Sequence, residues 1–234
     1  RGGAGEGSDE SSRTRWPALE SNPEVLSNFL AGIGVPTTHA FTDVYGLDDE
    51  MLDMIPKPAL ALVLLFPGGE RQEPADDPQE NAPFFIRQIE GLGNACGTIA
   101  AIHAAVNSPL AEAIDPSGPL ASLLDSVRSL SPSQRGEALE AHEGVRAVHA
   151  AQAEMGQTDA STGKEDVRYH FICFVHSNGL LFELDGLKSA PVPHGPTTPD
   201  TLLKDAARVV QDFFARHPGS DDFSLLALAP ADSD

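Results

Sequence analysis

The sequence predicts a single mixed domain of helices and strands, α/β or α+β in class. Three observations carry that expectation. Segments with helical apolar spacing alternate with short β-rich runs along the chain. The run Ala59 to Phe66 is continuously apolar and flanked by Pro58 and Pro67, which suits a strand buried on both faces of a sheet. A pair of runs, Tyr169 to Val175 and Leu180 to Leu184, brackets Asn178-Gly179, a strong two-residue hairpin signal. The chain has 234 residues, no internal repeat and no natural break, so one domain over 15–234 is expected.

The elements follow in order. Residues 1–14 are Gly/Ser-rich with mixed charge and read as a flexible tail. Asn22-Pro23-Glu24 supplies an N-cap, a first-turn proline and an acid, and Val25, Leu26, Phe29 and Leu30 recur at helical spacing. Gly32 and Gly34 stop that helix. A short strand over Phe41 to Tyr45 and a short helix over Asp48 to Ile55 precede the apolar strand. Residues 68–83 are acidic and Pro-rich, a surface loop. Helical pattern returns after Asn94; residues 107–119, with three prolines, form a loop; Leu120 to Leu130 is amphipathic. Ser131-Pro132-Ser133-Gln134 resembles a capping box that opens a helix to about His142. Residues 150–168 lack periodicity and read as an overlong loop. After the hairpin, Leu202, Leu203, Ala206, Val209, Val210, Phe213 and Phe214 mark a late helix, and Phe223 to Ala229 a closing strand.

Composition narrows the function. Asp and Glu number 35 against 15 Lys and Arg, a net charge of −20. Such a surface repels phosphate, which excludes nucleic acid and points to a basic partner. The longest apolar run is too short for a membrane span. Two cysteines, Cys96 and Cys173, exclude a disulfide scaffold and a Cys-rich zinc site, and no metal or other cofactor is expected. The chain opens without an apolar secretory run, so cytoplasm or nucleus is the expected compartment.

The chemistry begins at Cys96. It stands where an apolar helix opens, and the positive end of the helix dipole favours its thiolate. The alternative is a small buried hydrophobe. Cys173 lies mid-strand between Ile172 and Phe174, where packing is the better reading. A nucleophilic thiol needs a base and a group to orient it. In a type I′ hairpin around Asn178-Gly179, Ser177 faces Leu180, Val175 faces Phe182 and Ile172 faces Asp185. His170, two residues before Ile172, shares that face, so His170 and Asp185 are diagonal neighbours. A register slip of one residue would separate them. Taken alone, the pair also fits a strand-end histidine and a turn-capping aspartate. The Cys96 N–H and the Gln88 side chain are candidate donors to an oxyanion; a surface glutamine is the alternative for Gln88.

These residues resemble the ubiquitin C-terminal hydrolases, in their short single-domain branch nearest the L-three-like isozymes. The matching stretches are residues 15–24 (Arg-Trp-Pro-Ala-Leu-Glu-Ser-Asn-Pro-Glu), Asp43-Val44-Tyr45-Gly46, Asn94-Ala95-Cys96-Gly97-Thr98-Ile99, Gly156-Gln157-Thr158, His170-Phe171, Glu183-Leu184-Asp185-Gly186 and Pro193-His194-Gly195. The resemblance implies a papain-like α/β/α layering with a mostly antiparallel sheet and a knotted backbone. It implies a thiol hydrolase acting at the C-terminal glycine of ubiquitin through Cys96, His170 and Asp185. A crossover loop near 150–168 would pass only small or unfolded leaving groups. Glu20, Glu24 and Asp43 would contact ubiquitin, with Leu19 in an adjacent apolar contact. Nedd-type modifiers share a similar tail and are a further partner class; a monomer is expected.

One departure stands out. The family's oxyanion glutamine lies six residues before the cysteine, and here that position is Glu90. Gln88 lies eight before, with two extra residues and glycines able to absorb a bulge. An ionised Glu90 only accepts hydrogen bonds and would repel an oxyanion, so Gln88 is favoured. Two other functions remain open: a ubiquitin-binding module with a silent site, and a redox sensor built on Cys96 and Cys173.

Overall fold

A computed structural model describes residues 15–72, 82–156, 169–216 and 223–231. The expected N-terminal tail, most of the acidic loop and residues 157–168 lie outside the described residues.

Six strands form one sheet: β1 (His39–Asp43), β2 (Ala61–Pro67), β3 (Tyr169–Ser177), β4 (Leu180–Leu184), β5 (Val192–Pro196) and β6 (Ser224–Pro230). Their spatial order is β1-β6-β2-β3-β4-β5, and every neighbouring pair is antiparallel. β2 sits between β6 and β3, as its unbroken apolar run requires. Ala61 and Val63 enter one core; Leu62, Leu64 and Phe66 enter the other. The first core lies under α1 (Pro23–Gly32), α3 (Cys96–Val106), α4 (Pro119–Val127), α5 (Pro132–Ala141) and α6 (Glu143–Met155). The second lies under α2 (Asp49–Asp53) and α7 (Leu202–Arg216). Helices thus cover both faces of the sheet, the three-layer α/β/α architecture.

Local chemistry explains most boundaries. The Asn22 carboxamide oxygen accepts from the Glu24 and Val25 N–H groups, at 2.8 and 3.4 Å, and starts α1. Ser131 accepts from Gln134 N–H while Gln134 accepts from Ser131 N–H, so the capping box that opens α5 is complete. The hairpin register pairs Ser177 with Leu180 and Val175 with Phe182, as a two-residue turn requires; Asn178 and Gly179 both take positive φ, 51° and 80°.

Two expectations need correction. Residues 150–155 are not loop: they are the end of α6, so the described chain leaves helix only at Gly156. The helix was hidden because its inward face carries only Val145, His149 and Ala153 as buried residues, one of them polar and one small. Alanine and glutamate propensity maintain it where apolar periodicity is faint. β5 was also unforeseen. Its Val-Pro-His-Gly-Pro sequence holds two prolines and a glycine, tolerated because β5 is an edge strand. A 3₁₀ turn over Pro109–Ala113, capped by Ser108, interrupts the expected loop 107–119.

Candidate active site

Cys96 is the first residue of α3, and Ala95 before it offers no side-chain cap. The first-turn N–H groups therefore have no helical or capping-side-chain acceptor. The His170 ring and the Phe171 and Gly97 N–H groups are the electrostatic partners of the sulfur. Burial acts hardest on the thiol and pushes its pKa up. The hydrogen bond and charge of His170, with those N–H groups, outweigh burial and hold the thiol below its ordinary value.

His170 stands at the start of β3, 4% exposed. Its Nε2 is 2.6 Å from Asp185 Oδ1, at the end of β4, across the hairpin. The other face-sharing neighbour is Phe66 on β2, whose ring meets the imidazole edge-on at 5.9 Å. Burial is the largest influence and pulls the imidazole pKa down. Hydrogen bonds to Asp185 and Cys96, and their charges, overcome it and raise the pKa to about 9. Both shifts favour a thiolate beside an imidazolium. Asp185 is itself fixed, since its Oδ1 accepts from Leu187 N–H at 2.9 Å. Cys173 is different in kind: it is fully buried, and burial alone pushes its thiol up.

Gln88 and Glu90 part company. Gln88 is buried; its backbone N–H donates to Gly186 O at 2.8 Å, beside Asp185. Its Nε2 donates to Gly93 O at 2.7 Å, and its Oε1 has no partner. An amide nitrogen carries two N–H groups, so one remains for a substrate. Glu90 is exposed in a 3₁₀ turn, Glu90–Leu92. Gly93 closes the turn at φ 58°, ψ −120°, a backbone that glycine adopts without penalty.

The N-terminal segment borders this cluster. Trp16 O accepts from Asn94 N–H at 3.1 Å, two residues before the cysteine. Glu24 is exposed, and Glu20 and Asp43 are half-buried. Asp43 accepts from the Tyr45 hydroxyl at 3.2 Å. Leu19 is not on this surface: it is 3% exposed and packs over Gly97, because a leucine beside the helix start fills the interior.

Two buried histidines escaped the sequence reading. His103 Nε2 accepts from Ile86 N–H at 2.9 Å, and its ring stacks on Phe85; it pins the strand-like segment that carries Gln88 to α3. His149 on α6 accepts from the Thr98 hydroxyl at 2.6 Å and donates to Pro17 O at 3.0 Å, joining α6 and the N-terminal segment to the Cys96 helix. Burial lowers their pKa values to about 3 and about 4. His103 stands seven residues after Cys96, two turns along the same face, and that spacing was the available signal. Nothing in the local pattern marks His149. Among the described residues no group of three metal-ligating side chains comes together.

Comparison with known proteins shows the family. The family model described as "Ubiquitin carboxyl-terminal hydrolase, family 1" matches residues 16–215. The chain belongs to the ubiquitin C-terminal hydrolase family. Its enzyme class is that of a cysteine-type ubiquitinyl hydrolase. A ubiquitin carboxyl-terminal hydrolase of Drosophila melanogaster is 44% identical over 227 residues, covering 92% of this chain and 98% of the fly protein. Ubiquitin carboxyl-terminal hydrolase isozyme L1 of Homo sapiens is 38% identical over 222 residues, covering 91% and 97%. Among solved structures, the Trichinella spiralis UCH37 catalytic domain bound to ubiquitin vinyl methyl ester superposes with a TM-score of 0.73. It is 26% identical and covers 93% of this hydrolase and 96% of that chain.

Proposed function

We propose that this hydrolase removes small or unfolded adducts from the C-terminal glycine of ubiquitin, with Cys96, His170, Asp185 and Gln88 as its machinery. The observation that carries the reading is the buried thiol–imidazole–carboxylate sequence, with the sulfur pKa lowered and the ring pKa raised. The thiol proton rests on His170. The Cys96 sulfur attacks the glycine carbonyl, and the second Gln88 N–H and the Cys96 N–H hold the oxyanion. The carbon–nitrogen bond breaks as His170 gives its proton to the leaving amine. Water then attacks the thioester, His170 takes one of its protons, the sulfur leaves as thiolate, and the acid formed releases its remaining proton to solvent as ubiquitin's carboxylate. Asp185 orients the ring throughout.

Glu20, Glu24 and Asp43 are the acids assigned to ubiquitin's arginine-bearing tail, and the net charge of −20 suits that partner. Residues 15–234 form the catalytic domain, acting as a monomer in cytoplasm or nucleus; no described helix is long and apolar enough to cross a membrane.

The test is a ubiquitin C-terminal fluorogenic amide with wild type and Cys96→Ala. The expected outcome is release by wild type only, with ubiquitin binding retained in both. Binding without release by wild type would make this a ubiquitin-binding module. The same assay with a Nedd-type modifier amide decides whether that tail is also cleaved.

A further inference from the structure

We propose that Gly69 is a positioning residue for His170, and that the strap containing it, residues 68–72, holds the imidazole against Cys96. The reaction it serves rests on the hydrolase reading; the geometry does not.

A side chain's first carbon built at Gly69 would lie 3.0 Å from both Cβ and Cγ of His170 and 3.1 Å from Leu187 Cδ1. The bare backbone is therefore seated on the ring. Its neighbour Gly68 has almost the same left-handed backbone, φ +114° against +121°, yet a carbon there would meet nothing within 4 Å. Two adjacent glycines thus share one conformational demand, and only one also touches the base.

The contact matters because the Asp185 hydrogen bond fixes one end of the imidazole and leaves it able to swing. Phe66 limits that swing edge-on, and Gly69 limits it against Cβ and Cγ. The strap cannot retreat cheaply. Gln72 N–H donates to Leu187 O at 2.8 Å, and the Arg87 guanidinium donates to Gln72 O and, at 3.3 Å, to Lys188 O. The Arg71 guanidinium donates to the Gln88 carbonyl. Leu187 N–H in turn donates to Asp185. The strap is thus tied to the turn that holds the acid and to the segment that carries the oxyanion glutamine. Added bulk at 69 must move the ring by a few tenths of an ångström. Charged or titratable groups around the ring are Cys96 from α3 and Asp185 after β4; β2 contributes Phe66, and the strap carries the exposed Glu70 and Arg71.

The experiment measures the pH dependence of iodoacetamide alkylation in the whole chain. Mass mapping separates Cys96 from Cys173. It uses wild type, Gly68→Ala, Gly69→Ala and Leu187→Ala. Alkylation reads the thiolate without any substrate. In Gly69→Ala the Cys96 midpoint is expected to rise, while Gly68→Ala, equally strained, stays at the wild-type value. With the ubiquitin amide, kcat of Gly69→Ala should fall on the order of tenfold with KM within about twofold. Indistinguishable behaviour of Gly68→Ala and Gly69→Ala would overturn the proposal, as would a loss of turnover with no change in alkylation. Leu187→Ala removes packing behind the strap, so it should shift the midpoint the same way by less. If Gly69→Ala does not fold, that variant decides, and an unmoved midpoint rejects the assignment. A shifted midpoint in a protein that never cleaves the amide would keep the positioning role and reject the hydrolase reading.

Discussion

At the scale of single residues, the site is a balance between burial and pairing. Burial alone would neutralise both Cys96 and His170, yet each charges the other, and Asp185 adds to the ring side. The sign of the pH response follows. Turnover requires thiolate and imidazolium together. The imidazolium persists up to about pH 9, so kcat/KM should fall above that value as His170 loses its proton. On the acid side it should fall only below the ordinary thiol range, because the Cys96 pKa is lowered. A kcat/KM profile on the ubiquitin amide checks both limbs. The same assay separates the two oxyanion candidates. Gln88→Ala should cost on the order of 10²-fold in kcat, from loss of a preorganised donor. Glu90→Ala, exposed and outside the cluster, should change little. A loss of that size from Glu90→Ala instead would reverse that assignment.

At the scale of elements, the helix ends and the buried histidines carry the testable energetics. Ser131→Ala removes half of the α5 capping box and should cost about 1 kcal/mol in urea unfolding. His103 and His149 hold three elements around the nucleophile helix while neutral. Their folded pKa values are about 3 and about 4, below the unfolded value near 6.5, so the unfolded chain binds more protons in that window. The stability these two rings contribute is therefore full above about pH 6.5 and declines as pH falls toward about 4 for His149 and about 3 for His103. Each group contributes a slope of at most about 1.4 kcal/mol per pH unit. Urea midpoints at pH 7 and pH 5 measure it, and equal midpoints would contradict neutral burial of these rings.

At the scale of the whole molecule, charge and layering act together. The sheet buries both of its faces, so the strand ends and the helix starts at its rim are what remain to build a site. The net charge of −20 gives the molecule a field attractive to a basic tail. The association rate with ubiquitin should therefore fall steeply as salt rises, and Glu20→Gln, Glu24→Gln or Asp43→Asn should each weaken that dependence. Stopped-flow binding at two ionic strengths reads this directly. Salt-independent association would remove the acids from the interface.

The sequence by itself determined whatever local rules control. The Asn178-Gly179 turn set the β3–β4 register and so placed His170 beside Asp185. The unbroken run at β2 set the sheet centre, and the cap residues set the starts of α1 and α5. Short-range geometry suffices for these because turn type and side-chain period leave few alternatives. Only the tertiary structure decided that Gln88 turns inward and Glu90 outward, since the chain makes a 3₁₀ turn over Glu90–Leu92 just after Gln88. It alone revealed α6, whose inward face is too small and polar to show a period. It alone seated Leu19 in the interior and Gly69 on the imidazole. Those contacts join residues far apart in the chain, and close packing, which no local pattern encodes, selects them.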